Sequence, residues 1–386
     1  MGYVRPFIEE DIPQVADLHS RVFHTGDSSS FQLRQSYRSY FTQIYLHNPW
    51  RDPALSSLVY QETNGQIVGF LGVLPRPMSM NGVPIRAVVS SQFIVDPARR
   101  STLAALQLLK VFFAGPQDLS ITDEANAVSR KLWERHGGKT ALLYSLYWLR
   151  LLQPTRFLSH RMLPAALTRV FLPLCRLADA ISVRVPLSPF RQPDSGVFGE
   201  ELSRETLFYC LAKFSRGWSL RPEYDDRSLE WLMDVLAHNA APGALQKIAV
   251  HNADRQLIGW YFYQLTPGGL GEVLQIGAEP NSMTAVLDHL FHHAWKQGAT
   301  ALSGRIEPRF MEHFWEKNSV YQYRGYQVLL HSKKPELLEA IQRGDAFLTR
   351  LEGEWCMRFQ PRREGESAVP KLDSHQQKQF IQELSR

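Results

Sequence analysis

The sequence predicts a mixed α/β fold built as two tandem domains, each a mostly antiparallel central sheet flanked by helices. Three observations lead there. The chain has 386 residues, more than one ordinary hydrophobic core accommodates. Its first 150 residues read as strand, two helices, three strands, helix, strand, helix and strand. From about residue 200 the same order begins again, although no identity between the halves is visible.

The first repeat opens with a short strand over Tyr3 to Phe7. After Asp11, apolar residues at Ile12, Val15, Leu18 and Val22 recur with helical spacing, and a second helix follows Ser28-Ser29-Ser30. Leu58-Val59-Tyr60, the turn Asn64-Gly65 and the run Ile67 to Val73 read as a hairpin; Asn81-Gly82 turns the chain into a third strand ending at Val95. Leu103, Leu106, Leu109, Val111 and Phe112 mark a helix packed on that meander. Leu119 to Thr122 reads as a strand, Ala127 to Arg135 as a helix and Ala141 to Trp148 as a strand.

In the second repeat, helices are expected over Glu205 to Phe214 and Ser228 to Leu236, then strands over Lys247 to Val250, Leu257 to Tyr263 and Glu272 to Ile276. A helix from Thr284 to Lys296, a strand from Ala301 to Gly304, a helix from Met311 to Lys317 and strands at Tyr326 to Leu330 and Trp355 to Phe359 complete it. The expected domains are 1–150 and 200–360, with an apolar linker or insert at 151–199 and a polar tail at 361–386. Within the insert, Arg161, Arg169, Arg176 and Arg184 recur along an apolar segment that Pro164 and Pro173 would break or kink. The expectation is a linker helix pair covering the domain junction, with weak membrane-surface or partner association as the other reading. Charges interrupt every window long enough to cross a bilayer, so no transmembrane segment is expected.

With hydrophobic residues at 44% and charged residues at 21%, the composition is that of a folded globular protein. The net charge of +5 is not gathered into basic blocks, so nucleic acid is not an expected partner. Cys175, Cys210 and Cys356 are scattered, which predicts neither a disulfide framework nor a metal site. Together with an N-terminus leading into Glu9-Glu10-Asp11, they suggest a cytoplasmic address.

One junction carries chemistry. At Val95-Asp96-Pro97-Ala98-Arg99-Arg100-Ser101-Thr102-Leu103-Ala104-Ala105 a strand ends and a helix begins. Unpaired N–H groups at a helix start, beside two arginines and small residues, form a cradle for a pyrophosphate. The segment resembles the acyl-CoA signature of the GNAT N-acetyltransferase superfamily. Val95, Pro97 and Arg100 fall on its hydrophobic, proline and arginine positions, Ala105 on its last small position, and Ser101 and Leu103 where glycines usually stand. The stretch Asn126 to Gly137 is similar to the superfamily's other cofactor motif, with Asn126, Ser129, Leu132 and Gly137 on matching positions and Trp133 in place of the tyrosine that often protonates the departing thiolate.

The resemblance implies a tandem arrangement of two GNAT-like domains, with acetyl-CoA or another acyl-CoA as co-substrate. Ile94, Val95, Arg99, Arg100, Ser101, Leu103, Ala104, Ala105, Asn126, Ser129 and Trp133 are then the cofactor-binding candidates. Direct transfer of the acyl group to an amine follows, the expected acceptor being a small-molecule or sugar-linked amine, with bacterial cell-surface polysaccharide metabolism as the setting that similar chains suggest. An N–H near Ile94 or Val95 would polarise the thioester carbonyl. Asp123 and Glu124 are candidate bases, although either also suits the cap of the helix starting near Asn126. The counterpart junction, Ile276 to Thr284, offers Glu279 in place of arginine, so no second CoA site is expected. The competing reading is a catalytically inactive GNAT-like protein that binds CoA or a partner. Glu307, Arg309, Glu312 and His313, the pair His292-His293, and Tyr144, Tyr147 and Trp148 are weaker candidates, more simply explained by solvation or packing.

Overall fold

The computed structural model describes residues 2–23, 31–99, 103–186, 188–191, 196–239, 245–266, 269–351 and 353–359. In chain order they form β1 (Tyr3–Pro6), α1 (Ile12–Phe23), α2 (Phe31–Phe41), β2 (Leu58–Gln61), β3 (Ile67–Met80), β4 (Val83–Val95), α3 (Ala104–Phe113), β5 (Leu119–Ala125), α4 (Ala127–Arg135), β6 (Lys139–Thr140), β7 (Leu146–Leu151), α5 (Pro154–Met162) and α6 (Ala165–Arg184). There follow β8 (Phe198–Glu201), α7 (Arg204–Phe214), β9 (Leu220–Pro222), α8 (Asp226–Asn239), β10 (Leu245–His251), β11 (Leu257–Leu265), β12 (Leu270–Ala278), α9 (Met283–Lys296), β13 (Ala301–Arg305), α10 (Met311–Glu316), β14 (Val320–Tyr323), β15 (Gln327–His331), α11 (Pro335–Gln342) and α12 (Glu354–Met357). The elements divide into two compact units. One holds β1–β6, α1–α4, β9, α8, β15, α11 and α12, and the other holds the remainder.

In the first unit the sheet runs β1-β2-β3-β4-β5-β15-β6, with β9 also beside β3. All its pairings are antiparallel except β4 with β5. The long β3–β4 hairpin turns on Asn81 and Gly82, at φ 52° and 82°; two consecutive left-handed residues give the tight turn whose twist suits the strands it joins. Helix α3 buries Leu108, Leu109 and Phe112 against Val68, Leu71 and Val88. Each such fully buried side chain contributes about 1.5–3 kcal/mol. Leu119, Ile121, Val328 and Leu330 form a further cluster with Leu337 and Ile341 of α11.

The second unit repeats the layout with its sheet ordered β14-β7-β13-β12-β11-β10-β8, the β12–β13 pair being the parallel one. Helix α9 lays Met283, Val286, Leu287 and Leu290 on Tyr261, Val273 and Ile276. The segment from Phe157 to Val185 is indeed a helix pair, α5 and α6. Pro164 sits at the N-cap of α6, and Pro173 is accommodated inside that helix.

Three sequence expectations need correction. The strand expected from Ala141 to Trp148 is broken by a 3-10 turn at Leu143–Ser145. Its remainder, β7, pairs with β13 and β14 in the second sheet, while β15 takes a place beside β5 in the first. The strand expected at Trp355 to Phe359 is instead the short helix α12. Its Trp355, Cys356 and Met357 are buried at consecutive positions, a pattern that a half-exposed alternating strand does not give. The short strands β8, β9 and β14 and the helix α11 were not anticipated.

Candidate active site

The parallel pairing of β4 with β5 is brief: Ala87, Val88 and Val89 face Leu119, Ser120 and Ile121. Beyond them the strands continue to Val95 and Ala125 without pairing to each other. At that end β4 carries a bulge. Phe70 faces Ile94 and Gly72 faces Ser91, so Leu71 stands opposite both Gln92 and Phe93. Gln92 has φ 49°, a left-handed value that costs a residue with a Cβ about 1–3 kcal/mol and is retained where surrounding structure enforces it. The bulge takes the Gln92 N–H out of the ladder. It donates instead to Glu354 Oε1 at 2.8 Å.

Glu354 opens α12, which packs against both β4 and β5. Its own N–H donates to Asp123 Oδ1 at 2.7 Å. A Cβ at the neighbouring Gly353 would overlap the Asp123 carboxylate, so the close approach of these segments needs a glycine there. Burial pushes the Glu354 carboxyl up to about 8, against the stabilising Gln92 N–H and with the nearby negative charges of Asp123 and Glu124 adding to the rise. Arg350 is buried with its guanidinium 3.7 Å from Glu124 and stacked 4.5 Å from the Trp355 ring centroid. Arg76, over Trp50 at 4.9 Å, is lowered to about 9 by burial, an effect that its attraction to Asp123 opposes.

The other flank of the bulge is aromatic and polar. Nε2 of His19 lies 2.7 Å from Gln92 Oε1 and its Nδ1 3.1 Å from the Tyr37 hydroxyl. The Tyr45 hydroxyl lies 2.9 Å from Ser91 Oγ, and Tyr40 donates to the Met357 carbonyl at 2.8 Å. Burial raises the Tyr40 and Tyr45 phenols, which therefore stay protonated near neutral pH.

The structure distributes the residues singled out in the sequence unevenly. Ile94 is in the core and Val95 half-buried on β4. Leu103 is exposed at the N-cap of α3, Ala104 is buried and Ala105 half-buried. Arg99 closes a 3-10 turn, Pro97–Arg99, whereas Arg100 and Ser101 lie outside the described residues. Asn126 caps α4, accepting from the N–H groups of Val128 and Ser129 at 3.0 and 2.9 Å. That cap is therefore Asn126 itself and neither Asp123 nor Glu124, both of which turn into the buried cluster. Trp133 is 1% exposed and packs on Phe112 and Phe113; its indole serves the core. Tyr144, Tyr147 and Trp148 are buried too, the Tyr144 hydroxyl donating to the Ala346 carbonyl at 2.6 Å.

The second unit shares the scaffold and differs in what fills it. Its β12 also bulges, Leu274 being the extra residue. Here Trp260 covers Gly277, donates to Gln275 Oε1 at 2.8 Å and stacks on Phe214. Glu279 at the helix start is paired with Lys213 at 2.8 Å. Glu307 is fully buried and its carboxyl is raised well above the usual range by desolvation, opposed by Arg305. His313 meets Thr284 at 3.1 Å. Among the described residues no group of His, Cys, Asp and Glu side chains suits a metal ion.

Glu354, Gln92, His19 and Arg350 had no signal in the local sequence. They are brought together by the bulge and by a segment 231 residues beyond Asp123.

No protein-family model and no curated protein matches the sequence. Solved structures do. A conserved protein of unknown function from Enterococcus faecalis V583, described as a probable N-acyltransferase, superposes with TM-score 0.57 at 9% identity, over 86% of this chain and 73% of its own. GCN5-related N-acetyltransferases from Anabaena variabilis ATCC 29413 and Kribbella flavida superpose with TM-scores of 0.53 and 0.52, each at 12% identity. They cover 87% and 86% of this chain and 74% and 70% of their own. At such identities the likeness is one of fold, and by fold the chain is GNAT-like, with its two sheets flanked by helices.

Proposed function

We propose that the first unit transfers an acyl group, acetyl being the simplest, from acyl-CoA to an amine. The observation that carries this reading is the unpaired end of β4 and β5, with a bulge N–H at its edge and a buried carboxyl of near-neutral pKa hydrogen-bonded to it. Such a combination is what acyl transfer needs: a fixed donor for the developing oxyanion and a base tuned near the working pH. Acyl-CoA is the substrate here and supplies an activated thioester. The small residues Ala104 and Ala105 at the start of α3, with Arg99 and Arg100 just before them, suit its pyrophosphate. At the thioester end the fit requires the Glu354 side chain to leave the Gln92 N–H, freeing both groups.

Glu354 then has the acceptor within reach. A carboxyl that bonds the bulge N–H is one hydrogen bond away from any carbonyl that this N–H polarises. The amine nitrogen attacks that carbonyl, the N–C bond forms as the C–S bond breaks, and the amine proton passes to the Glu354 carboxylate, which returns it to the departing sulfur so that CoA leaves as the thiol and the carboxylate is restored. Arg350 and Arg76 hold Asp123 and Glu124 as the surrounding charges that keep the Glu354 carboxyl basic. A small-molecule or sugar-linked amine, including one in cell-surface polysaccharide assembly, fits this chemistry, and scattered free cysteines fit a reducing, cytoplasmic setting.

A second reading rests on the same helix. With Trp355, Cys356 and Met357 buried on a helix that packs against both β4 and β5, α12 can act as a permanent plug, leaving a protein that binds CoA or a partner without turnover. Thiol release from acetyl-CoA and longer acyl-CoAs with a panel of amines separates the two. Turnover that falls by roughly 10²–10⁴ in Glu354→Gln, the usual contribution of a general base, supports transfer. Binding of acetyl-CoA without thiol release for any amine supports the plug.

A further inference from the structure

The helix α6 presents an apolar stripe to solvent. Leu167, Val170, Phe171, Leu174, Leu177 and Ile181 recur at three- and four-residue steps along one side, and all are exposed, Val170 at 70% and Leu174 at 63%. The opposite side is the packed one. There Thr168 and Asp179 are buried, and the Asp179 carboxylate accepts from the Thr155 N–H and hydroxyl at 2.9 and 2.6 Å and pairs with Arg156. These bonds fix α6 to α5 and thereby determine which side faces out. Folded proteins seldom leave a continuous apolar patch of this extent uncovered without a binding role.

Charge identifies the occupant. Arg169, Arg176 and Arg184 line the exposed flank next to the stripe, and none has an ion-pair partner among the described residues. Between Glu134 and Asp194 the only carboxylate in the sequence is Asp179, which is buried. A second copy docked on this face about a two-fold axis would bring arginine against arginine. An anionic lipid surface instead takes the apolar side chains into its acyl boundary and gives each arginine a headgroup phosphate. No helix among the described residues is long and apolar enough to cross a membrane, and at 20 residues interrupted by arginines α6 has the make-up of a helix lying in the interface plane. We infer that α6 docks the protein on anionic membranes.

The test is flotation of the full chain with vesicles of phosphatidylcholine alone or of equal parts phosphatidylcholine and phosphatidylglycerol. The expected result is flotation with the anionic vesicles only, weakened by salt. Replacing Leu174 and Leu177 together by Glu should abolish it. Replacing the three arginines by Gln should weaken it on the order of a hundredfold, at about fivefold for each charge near the surface. All five side chains are exposed, so circular dichroism and the melting temperature should match the parent in both variants. Failure of the parent to float with anionic vesicles overturns the inference. So does flotation that survives the Leu174→Glu, Leu177→Glu change, or a parent dimer that this change converts to monomer, since the stripe would then be a subunit contact.

Discussion

Glu354→Gln tests the buried carboxyl without any assumption about substrate. In the folded protein burial holds this group near 8, against a usual 4.5. Because the pKa is raised by folding, the folded state binds the proton more tightly than the unfolded one between those values. Stability from this group is therefore complete below pH about 4.5 and is lost as pH rises through about 8. At about 1.4 kcal/mol per unit, the full loss approaches ~5 kcal/mol, an upper figure that relaxation around the site reduces. Glutamine keeps the shape and cannot ionise. Urea unfolding of parent and variant at intervals from pH 5 to 9 reads the difference directly. The two should be similar at low pH, and the variant should become the more stable by several kcal/mol at the alkaline end. Parallel curves across the range would mean that Glu354 is not a protonated buried acid, and its assignment as a tuned base would fall with it. Glu307, also buried and raised, contributes the same trend to both proteins and cancels in the comparison.

Other expectations concern the neighbourhood of this group. Gly353→Ala should destabilise by about 1–3 kcal/mol in equilibrium denaturation, because the added Cβ meets the Asp123 carboxylate; an unchanged midpoint would place α12 differently. Arg100→Ala should raise the dissociation constant for acetyl-CoA roughly ten- to a hundredfold in calorimetry, as expected for a charge-assisted phosphate contact, with Arg99→Ala changing it little and melting temperatures unaltered. Equal affinity of Arg100→Ala and parent would move the pyrophosphate elsewhere.

The sheet meander was legible because its signals are local. Asn64-Gly65 and Asn81-Gly82 mark turns whose glycines have φ 86° and 82°, and they bound the apolar run that opens β3 and the strand β4 that follows it. The helices α1, α3 and α9 were legible from apolar spacing alone. Strand partnership was not, since the residues of β7 say that they form a strand but not that β13 and β14 are their neighbours. The edge strands β9 and β14, three and four residues long, are too short for any period to show. The site was half legible. The strand-to-helix junction at Val95 and the acids at Asp123 and Glu124 stand out because charge and small residues cluster there. Glu354 does not, because an acid two residues from Glu352 and flanked by Arg350 and Arg358 reads as a solvated residue until the fold buries it against Gln92.

The reading of the first unit as the acyl-CoA site is tested most directly by the hydrogen-exchange footprint of acetyl-CoA on the full chain. Added ligand should slow exchange at the β4 bulge and the start of α3, from residue 92 to 107, and at the start of α4, while the amides of Gly353 to Met357 exchange faster as α12 yields the strand gap. Protection confined to residues 276–290, at the corresponding junction of the second unit, would contradict it.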